Sequence, residues 1–551
     1  MSWTQVYDPF HNWILSTLVA ALPILVLFGL LGGLRLRPHW CAMAAAATAA
    51  LVAVTAFHMP PALAGMSFLL GVGFGLLKIA WIVLAAVYLY DISVAAGQFE
   101  IMKESVAAIT ADRRLQVLLV AFCFGAFIEG AAGFGAPVAI AGAFMIGLGF
   151  KPFHAAALNL IANTAPVAWG AIGTPVHTLA AVSGLPEADL SAMIGRILPI
   201  TGIIVPFWLV RAMVGWAETF EVLPAILVVG ISFSATQYLW SNHVDSNLVD
   251  IASGVVSLVV TVAFLKFWQP GHIWKFADDR APQPVGAAIR RHTPAEIARA
   301  WMPFGILSVM VLLWGLPRVK GAINQATTIV WPVPLLHNLI TRAAPVVIHP
   351  TPEAARFDFN WLSATGTGCF IAAILAGLLL GLGPVQLGAI FLRTVKRMRA
   401  AMVAIAFMLG LGFITRYSGL DAVLGLAFTR TGPLFPFFGT YLGWLGVALT
   451  GSDTSSNALF GSLQRITAEQ LRLDPVLMCA ANSAGGVMGK MVDAQSIVVA
   501  TSTTNQVGNE GTIFRYVFWH SVALGAVVGL IVLAYAYPFA RAVPHGLVFV
   551  K

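Results

Sequence analysis

Residues 127–175 read FIEGAAGFGAPVAIAGAFMIGLGFKPFHAAALNLIANTAPVAWGAIGTP, and how this stretch is read decides the fold. It is apolar enough for a bilayer, yet Glu129, a Gly-Ala cluster, Asn163, Pro166 and Pro175 interrupt it where a spanning helix would run on. Gly130, Gly133 and Gly135 precede Pro137, and regular helix loses roughly 1 kcal/mol per Gly and about 3 for an interior Pro relative to Ala. Lipid cannot satisfy the backbone groups so freed; substrate, ion, water or another half-helix must do so. Interrupted helices inside a membrane mark binding sites.

The rest of the chain agrees with a membrane setting. Of 551 residues, 59% are hydrophobic and 10% charged, against about 25% charged in soluble domains, and the mean hydropathy is +0.86. The net charge of +8 comes from Lys and Arg gathered in loops. It therefore speaks of orientation by the positive-inside rule, not of a nucleic-acid partner. Cys41, Cys123, Cys369 and Cys479 are widely spaced in or beside apolar runs, which suggests core residues rather than disulfides or a metal site. Residues 1–11 contain no Lys or Arg, so the apolar run from about 13 to 34 reads as a retained helix rather than a cleaved signal.

Apolar runs of about 20 residues fall near 13–34, 40–58 and 62–90, then near 190–214, 222–241 and 248–268. Basic loops at Arg35, Arg37 and His39 and at Lys103, Arg113 and Arg114 place the N-terminus outside. Residues 271–300, with Lys275, Arg280, Arg290, Arg291 and Arg299, read as a cytoplasmic linker between halves at 1–270 and 301–551. In the second half, 318–360 reads as an external connection, 385–400 as an amphipathic surface helix with Arg393, Lys396, Arg397 and Arg399, and 401–417 as a span.

The broken pattern then returns over 450–504, as LTGSDTSSNALFGSLQ and LMCAANSAGGVMGKMVDAQSIVVATSTT. Asn163-Thr-Ala-Pro-Val-Ala-Trp-Gly170 and Asn482-Ser-Ala-Gly-Gly-Val-Met-Gly489 share Asn, a hydroxyl residue, Ala and a later Gly in one register. Each follows a Gly-rich break about thirty residues upstream, and the two breaks are approached from opposite sides. The expected fold is all-α and polytopic, with about 12–14 transmembrane segments in two inverted halves carrying discontinuous helices or re-entrant hairpins, as in secondary transporters.

Charges inside spans need a reason, since each costs at least about 2.5–3.5 kcal/mol. Glu129 and Asp453 each adjoin the break of their own half and are candidates for proton or ion coupling; a structural pairing with Lys78 or Lys490 is the alternative. Lys490 and Asp493 are three apart and share a helix face, so Lys490 is either a substrate-carboxylate ligand or half of a salt bridge. Arg416 and Arg430 read as side chains snorkelling to the interface, and His177 as a packed polar residue. Ser452, Asp453, Thr454, Ser455, Ser456 and Asn457 crowd one short segment, suited to a small carboxylate at a helix N-terminus or to Na⁺. No His-Glu-x-x-His, phosphate loop or Cys/His metal spacing is present, so neither an enzyme nor a cofactor is expected.

At 127–144, 163–175, 451–464 and 485–497, the last reading GGVMGKMVDAQSI, the chain resembles the bacterial L-lactate permease family. The resemblance runs from about residue 60 to 530. It implies proton-coupled uptake of lactate, and often glycolate, across the inner membrane by an inverted-repeat carrier working through alternating access. The residues expected to hold the substrate are Gly133, Gly135, Asn163, Thr164, Ser455, Ser456, Asn457, Asn482, Ser483 and Lys490, with Glu129 and Asp453 coupling the proton. The family's usual Ile-Ser-Pro-Gln after Gly-Lys-Met is here Val492-Asp493-Ala494-Gln495, so the substrate is read as a small 2-hydroxy monocarboxylate. A Na⁺-coupled carboxylate carrier is the alternative, and a homo-oligomer stays open.

Overall fold

The computed structural model describes residues 2–30, 34, 36–133, 135–276, 292–347, 349–506 and 508–546. It is all-α apart from two small sheets. The helices used below, in chain order, are α1 (Pro61–Ala95), α2 (Arg113–Ala131), α3 (Ala136–Gly147), α4 (Pro152–Ala162), α5 (Gly170–Ser183), α6 (Glu187–Met213) and α7 (Leu223–His243). They continue with α8 (Val249–Phe264), α9 (Pro384–Ser418), α10 (Phe435–Thr450), α11 (Asp453–Gln470), α12 (Pro475–Gly489), α13 (Ala494–Thr503) and α14 (Glu510–Ala536). Pro61, Pro152, Pro384 and Pro475 each open a helix, where the missing N–H has no intrahelical partner to lose.

Among the described residues nine helices are long and apolar enough to cross a membrane, and the pair Pro152–Ala162 and Val167–Ser183, bent by 65°, makes a tenth. Four shorter apolar helices, Trp13–Phe28, α3, α8 and Thr365–Leu379, are also present. The protein is a multi-pass membrane protein.

The surface helix expected at 385–400 is not separate. It is continuous with the following span in the 35-residue α9. No Gly or Pro occurs between Ala389 and Leu409, and the Lys, Arg and Met residues there favour helix. Asp91 at the end of α1 anchors the polar portion, accepting from Thr394 Oγ1 and from Arg397 Nη2, each at 2.6 Å.

Residues 318–347 and 349–360 are folded. A short strand β1 (Trp3–Thr4) pairs in parallel with β3 (Ile340–Arg342), which pairs antiparallel with β4 (Thr351–Pro352), while β2 (Ile329–Pro332) pairs with β5 (Arg356–Phe359). From this cap Glu353 reaches Arg342 at 2.5 Å and Arg416 at 2.7 Å. Arg416 also donates to the carbonyls of Ala181 and Val182 in the last turn of α5. The snorkelling expected of Arg416 is thus corrected: it closes a helix C-terminus, where a cation suits the dipole. Arg430 instead stacks over Trp13, 3.5 Å from its ring centre, and Lys78 lies over Phe74 and Phe357 rather than beside a buried carboxylate. Of the linker charges, Arg280, Arg290 and Arg291 lie outside the described residues.

Glycines let the central helices approach closely. A Cβ at Gly443 would overlap Asn482 O, one at Gly485 would overlap Thr440 O, and one at Gly489 would overlap Trp444 O, so α10 and α12 touch backbone to backbone. Small residues at helix contacts serve this end in membranes, where lipid offers no hydrophobic gain for association.

Candidate functional site

Both interrupted regions are broken where the residues predict. Between α2 and α3 the chain turns at Gly133, φ +57°, a conformation glycine adopts without the Cβ penalty. Beyond α4, residues 163–169 form turns and one turn of 3-10 helix, and Ala171, Ile172 and Gly173 then take left-handed conformations with φ of +45°, +57° and +70°. Left-handed Ala and Ile are strained, by about 1–3 kcal/mol each, and such strain persists where the surroundings over-determine it. In the second half, α10 ends at Gly451, φ +73°. Ser452 caps α11 by accepting from Ser455 N. After α12 a 3-10 turn, Lys490–Val492, leads to Asp493, which caps α13 through Ser496 N at 2.7 Å.

The breaks meet around one pocket of about 340 Å³ of empty space, lined by Glu129, Gly133, Val167, Gly170, Ala171, Thr174, Pro175, Gly451, Ser452, Asp453, Thr454 and Lys490. Two helix N-termini, those of α5 and α11, open into it. Their positive dipole ends favour an anion.

The two carboxyls have matching seats. Glu129, 4% exposed, rests on Gly170, where a Cβ would lie 2.5 Å from Oε1; its Oε2 has no hydrogen-bond partner among the described residues. Asp453, 2% exposed, rests on Gly486, where a Cβ would overlap Oδ1. Its Oδ2 accepts from Ser483 Oγ at 2.5 Å and from Asn457 Nδ2 at 3.3 Å. Asn457 Nδ2 also donates to Pro175 O, so the network crosses from the second half to the first. Lys490 Nζ donates to Gly451 O at 2.6 Å and lies 3.3 Å from Asp493 Oδ2. The lysine is therefore both salt-bridged and on the pocket wall.

Of the residues singled out from sequence, Glu129, Gly133, Asp453 and Lys490 line the pocket, and Asn457 and Ser483 hold Asp453 from behind. Asn163 is buried with neither amide atom bonded among the described residues. Thr164 Oγ1 turns back to Ile161 O, Ser456 Oγ donates to Gly443 O, and Asn482 donates to Asn457 Oδ1 and accepts from Gln464. Gly135 and Ser455 do not line the pocket. Gly170, Thr174 and Thr454 do. Gly170 closes the Asn163 motif and Thr174 stands in the first quoted stretch, while Thr454 belongs to the polar run 452–457 already singled out from the sequence. His177 is packed, with its ring nitrogens 2.9 Å from Asn247 Oδ1 and Glu187 Oε2. Among the described residues no group of three or more His, Cys, Asp or Glu could hold a metal ion.

The family model described as L-lactate permease matches residues 16–539. The chain belongs to the L-lactate permease family. Its relatives include the glycolate permease GlcA of Escherichia coli (strain K12), 45% identical over 98% of this chain and 99% of that one. The L-lactate permease of Salmonella typhimurium (strain LT2) is 46% identical over 98% of this chain and all of its own length, and that of Bacillus subtilis (strain 168) is 41% identical over 99% and 100%. Among solved structures, Neisseria gonorrhoeae MtrF aligns at a TM-score of 0.45 with 12% identity over 86% of this chain and 83% of that one.

Proposed function

We propose that the protein is a symporter that carries a proton with lactate, glycolate or a related small 2-hydroxy monocarboxylate across the inner membrane by alternating access, and that it catalyses no reaction. The observation that carries this reading is the pocket itself, in which anion-attracting helix ends and Lys490 face two buried carboxyls. The family and the printed names of the relatives supply the substrate class.

In this reading the substrate carboxylate lies between the N-termini of α5 and α11, near Lys490, and its 2-hydroxyl meets the Thr174 and Thr454 side. Asn163, beside Glu129, takes a further polar contact, and the Asn457–Ser483 pair holds Asp453 in register. Glu129 and Asp453 carry the coupling. A proton on either carboxyl offsets the anion's charge in a space where an unpaired charge is heavily penalised. The two halves, 1–270 and 301–551, act as inverted repeats whose breaks at 127–175 and 450–504 share the substrate between them, as the resemblance of their Asn motifs supports.

The test is uptake of radiolabelled L-lactate and glycolate into proteoliposomes under an inward proton gradient, with a parallel arm collapsed by a protonophore. Uptake abolished by the protonophore is the expected result. Uptake that instead follows an imposed Na⁺ gradient, with no pH gradient, would replace the proton by Na⁺ in the same architecture.

A further inference from the structure

Asp250 is a buried charge that the site as described leaves unused. It stands in the first turn of α8, 0% exposed, and neither carboxyl oxygen has a hydrogen-bond partner among the described residues. The backbone that follows Glu129 presses directly on it: a Cβ at Gly130 would lie 2.8 Å from Asp250 Cβ and 2.7 Å from Ile251 N. Glu129 lies near enough to influence the charge on Asp250, toward which the Trp169 N–H is also directed, and Glu129 in turn feels the charges of Lys490 and Asp493. From the loop before α8, the carboxyl of Asp245 is taken up by the N–H groups of Asn247 and Leu248.

That loop also links outward. Gly173 in the break packs against Ser246 and Asn247, Asn247 Oδ1 lies 2.9 Å from His177 Nε2, and Ser246 Oγ donates to Glu187, whose side chain is 37% exposed. Asp250 thus sits beside the pocket carboxyl Glu129, and the loop that precedes it carries polar groups that reach the half-buried Glu187. A buried carboxylate with no cation beside it is strongly disfavoured, and neighbouring carboxyls divide a proton between them.

We propose that Asp250 and Glu129 form a proton-handling carboxyl pair, with Asp250 the second site of the transported proton. The O–H bond on one carboxyl breaks as the O–H bond on the other forms, and nothing is oxidised or reduced. This rests on the proton-coupled reading above.

The test separates coupling from substrate movement in purified Asp250→Asn protein in proteoliposomes. Counterflow of labelled against unlabelled L-lactate, which needs no net proton movement, should stay within about threefold of the unaltered protein, while accumulation driven by a pH gradient should fall by about tenfold or more, the scale of a typical coupling between sites. Asp250→Glu should restore accumulation, with an altered pH profile. Asp250→Asn protein that accumulates normally overturns the proposal. Failure of Asp250→Glu to restore accumulation, with counterflow also lost in Asp250→Asn, overturns it in favour of a structural role. If uptake by the unaltered protein is insensitive to protonophore, it is the coupling reading that fails, whatever Asp250 does.

Discussion

Glu129 and Asp453 sit against glycines, and their seats leave no room for a methyl group. Gly486→Ala should displace Asp453 from Ser483 and Asn457 and lower pH-driven uptake on the order of tenfold or more, since misplacement by an ångström in a preorganised site is costly. Normal uptake by a folded Gly486→Ala protein would show that the seat is immaterial. Lys490 divides its charge between Asp493 and the pocket. Asp493→Ser keeps an oxygen to cap α13 but removes the competing carboxylate, so the apparent KM for lactate should fall several-fold, whereas Lys490→Met should raise it by about tenfold, as loss of a charge-assisted hydrogen bond of roughly 1.5–3 kcal/mol implies. An unchanged KM in both variants would reassign Lys490 to structure.

At the scale of elements, the end of α5 is tied to the 318–360 cap through Arg416 and Glu353. Removing one partner leaves an uncompensated buried charge, which costs about 3–5 kcal/mol. Glu353→Gln should therefore lower the thermal unfolding midpoint in detergent clearly, and a melt indistinguishable from the unaltered protein would mean that Arg342 and the helix carbonyls suffice. Between α10 and α12 the contact is glycine on backbone, so Gly443→Val has nowhere to place its side chain, and the expected outcome is loss of monodisperse protein in size-exclusion chromatography. The continuity of α9 belongs here too. Its basic patch at 393–399 suggested an end to the span, but helix propensity and the Asp91 anchor carry the backbone straight through.

For the whole molecule, accumulation should rise as the outside is acidified at fixed internal pH and vanish when the gradient is collapsed, measured as the steady-state ratio of labelled lactate. In the proposed symport the physical sense is that a proton entering with the anion removes its charge from the membrane field. A ratio independent of the gradient would leave a facilitator rather than a symporter.

Much of this was determined by the sequence alone. Clustered glycines and prolines in apolar runs cannot be regular helix in lipid, and the charges beside them, Glu129, Asp453 and Lys490, cannot be there without partners or a task; these are local rules, readable from neighbours in the chain. Tertiary structure decided the rest. That Thr174 and Gly170 face Asp453, that Asn457 reaches Pro175 across 282 positions, that Thr164, Ser456 and Asn482 turn to their own scaffolding, and that Asp250 lies behind Glu129 all depend on which helices cross. Those crossings are set by glycine contacts such as Gly443 with Asn482, and no periodicity within a single segment records its partner.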